Sequence, residues 1–186
     1  MQKLLFFLLI FSALSSSAQV KYPMVDKSPL DISYYPVNYP VLKAQDKTSE
    51  QIVARVIYSR PQKNGRTIFG DLIAYGKVWR LGANEATELE FFQNVVINKV
   101  RVKKGRYTLF AIPDENKWTM ILNKETDTWG SFKYDEKKDV VRVDVQLTKT
   151  SEPNESLGMI FSKEDASKFY LNIAWEDIQV SLPISL

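Results

Sequence analysis

Two stretches of this chain alternate apolar and polar residues so regularly that only a β-strand with one buried face accommodates them. Val141, Val143, Val145 and Leu147 are interleaved with Arg142, Asp144, Gln146 and Thr148, and Ile178, Val180, Leu182 and Ile184 with Gln179, Ser181 and Pro183. Strand side chains point alternately to two faces, so each stretch presents one dry and one solvated surface. A third run, Ile52 to Ser59, alternates between an apolar and a mixed face. No segment sustains apolar spacing at 3.6 residues over three turns, which argues against a helical fold.

Elsewhere, short strands follow one another at the close spacing of an antiparallel sandwich or barrel. Leu89 and Phe91 open one, and Val95 to Val102 folds back as a tight hairpin around Asn98 and Lys99. Gly105 to Ile112 and Lys117 to Asn123 flank a turn at Pro113 to Asn116. Leu157, Met159 and Phe161, then Leu171, Ile173 and Trp175, supply two more strands, and the polar stretch Ser162 to Lys168 between them reads as a single turn of helix. The fold class is all-β: a two-layer antiparallel β-sandwich of about nine short strands with one long ordered loop.

Residues 1 to 18 stand outside this pattern. Met1, Gln2 and Lys3 precede an apolar run from Leu4 to Phe11, and the segment ends in Ser15, Ser16, Ser17 and Ala18. A basic start, an apolar middle and a small-residue end make a secretory signal, with cleavage expected after Ala18. The run is shorter than the roughly 20 apolar residues a membrane-spanning helix needs. With no cysteine in the chain, neither a lipid-modified N-terminus nor a disulfide is available. The expected product is periplasmic or secreted, has no membrane span once the signal is removed, and relies on its core for stability. Residues 19 to 47 carry Pro23, Pro29, Pro36 and Pro40 among Tyr22, Tyr34, Tyr35 and Tyr39. Proline fixes φ and removes a donor, so this arm reads as extended and irregular, held to the domain by its tyrosines. Residues 48 to 186 are left for the sandwich.

Composition narrows the chemistry. Without histidine or cysteine, nucleophile–histidine triads, thiol catalysis and nearly all zinc, copper and haem ligation are excluded. No cofactor is implied. A net charge of +3 is too small to point to nucleic acid. Carboxylate chemistry stays open, with Asp71, Glu85, Glu88 and Glu176 as candidates for a carbohydrate-acting enzyme, which needs two carboxylates about 5 to 10 Å apart. A structural or interaction protein without a small ligand is the third class.

The segment from Arg60 to Thr87 departs most from strand patterning. It holds four of the seven glycines, Gly65, Gly70, Gly76 and Gly82. Between Arg60 and Arg80, five bases, Arg60, Lys63, Arg66, Lys77 and Arg80, face one acid, Asp71. Arginine forks bind carboxylate, sulfate or phosphate at two points, and glycines let backbone donors approach a ligand. The segment is therefore a candidate site for an anionic small molecule or acidic glycan, with Arg60, Arg66, Lys77, Trp79, Arg80, Asn84 and Glu85 as its residues. The opposing reading has glycines making turns and the arginines pairing with Glu85, Glu88 and Glu90. Trp118, Trp129 and Trp175, in or beside strand patterns, read as core; Trp79, between Lys77 and Arg80, is open to stacking on a ligand or packing beneath the loop.

Several runs resemble an exported bacterial family known as domain of unknown function 2911. They are Tyr-Ser-Arg-Pro (58–61), Gly-Arg-Thr-Ile-Phe-Gly (65–70), Tyr-Gly-Lys-Val-Trp-Arg-Leu-Gly-Ala-Asn-Glu-Ala-Thr (75–87), Gly-Arg-Tyr-Thr-Leu-Phe-Ala-Ile-Pro (105–113), Ile-Leu-Asn-Lys (121–124), Trp-Gly (129–130), Asp-Val-Val-Arg-Val (139–143) and the closing stretch from Trp175 to Ile184. The resemblance implies export and one β-rich domain, and it brings no activity with it. Its longest run falls on the Gly- and Arg-rich loop.

Overall fold

A computed structural model describes residues 20–186. The expected signal and its cleavage after Ala18 lie outside the described residues. Among these residues ten strands form two antiparallel sheets that pack face to face. Strands β1 (Leu30–Tyr35), β2 (Ala54–Ser59), β3 (Glu88–Phe91), β6 (Gly105–Pro113), β7 (Lys117–Asn123) and β8 (Asp139–Gln146) make a six-stranded sheet in that order. The other sheet runs β5 (Val100–Val102), β4 (Val95–Ile97), β10 (Lys168–Ser185), β9 (Thr148–Lys163). The expected all-β sandwich is what the chain forms. No helix among the described residues is long and apolar enough to cross a membrane.

Alternation of side chains creates the core. Val56 and Tyr58 of β2, Leu89 and Phe91 of β3, Leu109 and Ala111 of β6, and Trp118, Met120 and Leu122 of β7 face Leu157, Met159 and Phe161 of β9 and Leu171, Ile173 and Trp175 of β10. Hydroxyls join the layers at one side. The Ser33 Oγ donates to the Met159 carbonyl (2.8 Å), and the Met159 amide donates to the Tyr58 phenol oxygen (3.0 Å). At the β4–β5 turn, Asn98 and Lys99 both take positive φ (47° and 65°), the geometry of a two-residue turn matching strand twist.

Two local expectations need correction. The arm is not wholly irregular: β1 pairs with β2 from Leu30–Ser59 to Tyr35–Ala54, and a short helix α1 spans Tyr39–Ala44. Pro40 sits in the first turn of α1, where its missing N–H would be unpaired anyway. Tyr35 and Tyr39 are buried, while Tyr22 is exposed. Second, the stretch Ser162 to Lys168 is a hairpin turn, not helix. The Glu164 and Asp165 amides both donate to the Lys168 carbonyl, and cross-strand pairing from Phe169–Lys163 onward decides its shape.

Candidate functional site

The Arg60–Thr87 loop is ordered because it completes both the core and the sheet. β3 accompanies β6 only as far as the Glu88–Thr108 pair, which leaves later β6 residues with an open edge. The loop fills it: the Leu109 amide donates to Thr87, Trp79 and Ala111 exchange amide–carbonyl bonds (2.7 and 3.0 Å), and the Gly76 amide donates to Pro113. Trp79 thereby shares a face with Ala111 and points between the sheets, 4% exposed. Its ring lies nearly parallel to Trp175 and edge-on to Trp118 and Phe69, and its Nε1 donates to the Gly82 carbonyl (3.1 Å). Ile68 and Leu81 are fully buried beside it. Packing beneath the loop, not stacking on a ligand, is the role its placement shows.

Gly82 makes this turn possible. A Cβ there would stand 2.6 Å from the Ser59 Oγ, the same hydroxyl that donates to the Ala83 carbonyl and accepts from the Ala83 amide.

The loop's five bases separate into two groups. Arg60 pairs with Asp31 (3.0 Å) and donates to the Leu157 carbonyl, and Lys63 pairs with Glu176 (3.0 Å). Arg66 donates to the carbonyls of Gln62 and Lys63 (2.6 and 2.9 Å), closing its own turn. None of these pairs uses the neighbouring glutamates: Glu88 takes Arg106, Glu90 takes Arg55, and Glu85 is exposed. Lys77 and Arg80 enter no ion pair among the described residues. Both line one shallow cavity of about 160 Å3, with Val78, Trp79 and Ser131. The Arg80 Nε is buried without a hydrogen-bond partner, and burial lowers the guanidinium pKa from its ordinary value. The seven candidate residues thus do not converge on one pocket. Lys77 and Arg80 come together above Trp79, Asn84 lends its carbonyl to the Gly130 amide, Glu85 lines a different cavity, and Arg60 and Arg66 are engaged elsewhere.

The profile of the family described as Protein of unknown function (DUF2911) matches residues 40–184. The chain belongs to this family. The match takes in every strand except β1, together with the whole Arg60–Thr87 loop. No curated protein and no solved structure matches the chain.

Within the DUF2911 region, a feature that sequence reading missed lies on the outer face of the six-stranded sheet. There Phe110, Ile121 and Ala86 form a second apolar cluster with Val78, Ile112 and Tyr134, covered by the connection between β7 and β8. That connection is tied down along its length. The Ala86 amide donates to Thr128 (3.0 Å), the Gly130 amide to Asn84 (2.9 Å), the Ser131 Oγ to Val78 (2.9 Å) and the Lys124 amide to Lys138 (2.9 Å). Tyr134 donates to Asp139 (2.6 Å) and accepts from Arg142 (2.6 Å), and burial with the Asp139 carboxylate pushes its phenol up to about 12. Trp129, read as core from its position near strands, is instead 62% exposed, and Phe132 is 84% exposed. The signal was local: Trp129 has Thr126 to Thr128 before it and Gly130 and Ser131 after it, a turn composition without alternating apolar neighbours.

The candidate carboxylates have structural duties as well. Glu176 accepts from Lys63 and from the Ile68 amide, and Glu88 accepts from Arg106 and from the Asp127 amide. Asp71 is exposed on the loop. Among the described residues no three acidic side chains gather to hold a metal ion.

Proposed function

We propose that the protein is exported and binds an anionic group, the charged end of a small molecule or of an acidic glycan, between Lys77 and Arg80. One observation carries the reading: of the five bases in the loop, Lys77 and Arg80 are the two whose side chains find neither a carboxylate nor a carbonyl partner among the described residues, and both line the same cavity. A partly buried guanidinium without a counter-ion is costly, and an incoming carboxylate, sulfate or phosphate oxygen offsets that cost. At about 160 Å3 the cavity falls below the roughly 300 Å3 at which drug-sized pockets begin, so it takes one charged group and not a whole ligand. The binding class is favoured over turnover because this cavity contains no acidic residue.

Thermal denaturation with sulfate, phosphate and glucuronate as probes tests the reading. A probe at 100 times its dissociation constant should stabilise the fold by about 2.7 kcal/mol. Arg80→Met should weaken binding by about 1.5 to 3 kcal/mol, the range for a hydrogen bond to a charged group. The same variant should leave the ligand-free protein as stable as before or more so, because it removes an uncompensated buried charge. Loss of ligand-free stability in Arg80→Met, with no response to any probe, would overturn the proposal.

A further inference from the structure

A cavity of about 490 Å3 lies beside the β7–β8 connection and is lined by Phe110, Glu125, Thr126, Phe132, Lys133 and Tyr134, among others. A second, about 350 Å3, opens towards Leu30, Ile57, Glu85 and Glu88. Asp127, Thr128 and Trp129 belong to both. The two cavities are therefore halves of one groove with the Trp129 side chain as the ridge between them. Each half has the volume of an ordinary small-molecule site.

Core packing does not explain why this indole stands in solvent. An exposed tryptophan forgoes the stabilisation that burying a large apolar side chain contributes. The backbone on either side of it is nevertheless fixed by the Thr128 and Gly130 bonds to the neighbouring loop, so the ring is a held platform. Gly130 is part of that support: its φ is +68°, and a Cβ there would meet the Phe132 ring at 2.6 Å. Preorganised aromatic surface binds a ligand with little ordering cost.

We infer that this groove is a saccharide-binding site for a neutral glycan, separate from Lys77 and Arg80 and independent of what binds there. A pyranose ring has an apolar C–H face that lies flat on an indole and an equatorial rim of hydroxyls. The groove offers both counterparts: Trp129 and Phe132 as faces, with Glu125, Asp127, Thr126, Thr128, Glu85 and Glu88 as acceptors and donors around them. The smaller half, lined by Glu85, Glu88 and Asp127 and by no base, disfavours an anionic ligand, while in the larger half Glu125 and Asp127 are balanced by Lys133 and Lys138, a lining without net charge that suits hydroxyl donors and acceptors. Having one half on each side of Trp129 favours an oligosaccharide over a monosaccharide.

The experiment is acrylamide quenching of intrinsic fluorescence on the full folded chain, with neutral tetra- to hexasaccharides of glucose, mannose, galactose and N-acetylglucosamine as probes and adenosine as an aromatic control. Trp79, Trp118 and Trp175 are each at most 4% exposed, so the quencher reads Trp129. At least one saccharide should shield Trp129 from acrylamide. By calorimetry, Trp129→Ala should bind that saccharide at least about tenfold more weakly, a loss of about 1.4 kcal/mol. Phe132→Ala should weaken it as well, and both exposed positions can be changed without unfolding the protein, which circular dichroism verifies. Arg80→Met should leave saccharide affinity unchanged, so failure here and failure of the anion site are read separately. The inference is overturned if no saccharide shields Trp129, if adenosine alone does so, or if Trp129→Ala binds the saccharide as tightly as the parent.

Discussion

Trp79 lies over Trp175 with ring centroids 6.0 Å apart and planes 21° from parallel. A residue of the long loop is thereby stacked on a residue of β10, an inner strand of the opposite sheet. The loop is part of the core, and its contribution is measurable. Trp79→Ala should cost about 3 to 5 kcal/mol in chemical denaturation, the range for truncating a buried aromatic. Trp129→Ala, on the exposed ridge, should stay within about 0.5 kcal/mol of the parent. Equal costs for the two would contradict their opposite placements.

Gly82 should resist even the smallest substitution. Gly82→Ala brings a methyl group to 2.6 Å from the Ser59 Oγ, which is already committed to both polar groups of Ala83. Moving that hydroxyl breaks two hydrogen bonds, and a loss of about 1 to 3 kcal/mol follows from the overpacking. Gly65→Ala meets nothing within 4 Å, so it reports only the strain of its positive φ of 71°. A melting curve of Gly82→Ala that matches the parent would show that Ser59 does not hold the loop.

β8 separates alternation from actual burial. The period-two pattern makes Val141, Val143 and Val145 equivalent, yet β8 is a sheet edge, and only Val141 and Val145 are buried; Val143 is half-buried. Val141→Asp should therefore destabilise more than Val143→Asp, since an unpaired charge costs more the less water reaches it. On the outer face, Asp144→Asn weakens the solvent-exposed pair with Lys117, and the smallest change of the three is expected there. Urea midpoints of the three variants decide the order.

Alkaline titration should find Tyr134 late. Burial comes first and the Asp139 carboxylate second in raising its phenol to about 12, against the opposing effect of Arg142. The folded protein holds this proton more tightly than the unfolded chain, where tyrosine titrates near 10. The resulting stabilisation is complete below about pH 10 and disappears as the pH rises through about 12. The difference in phenolate absorbance between the parent and Tyr134→Phe isolates the group; a step near pH 10 would refute the Asp139–Tyr134–Arg142 arrangement.

The strands most legible in the sequence are those whose two faces differ most. β8 and the far half of β10 announce themselves through Val-Arg-Val-Asp-Val and Ile-Gln-Val-Ser-Leu. β1 does not, because Leu30, Ile32 and Tyr34 lie on its wetter side, and flanking prolines mark the segment as irregular. Charge concentration in the Arg60–Thr87 loop was equally legible. Which charges the fold consumes was not: Arg60 finds Asp31 on β1, and Lys63 finds Glu176 at the bulge of β10, and neither partner has a local signature. Trp129 escaped for the converse reason, since proximity to strands in sequence says nothing about which side of a sheet a connection covers.

The hydrogen bond from Ser33 to Met159 joins positions 126 residues apart, and β4 reaches β10 through a single register pair, Val96 with Ser185. Such contacts make the route to this structure slow. The β4–β5 and β6–β7 hairpins close over a few residues, but β4 meets β10 only after a long loop closure, from Val96 to Ser185, whose entropy must be lost before any contact compensates it. Until then β4 presents an open edge with Val95 and Ile97 uncovered, the kind of surface that recruits other chains. Refolding yield is therefore expected to fall as protein concentration rises, which light scattering during dilution from urea measures.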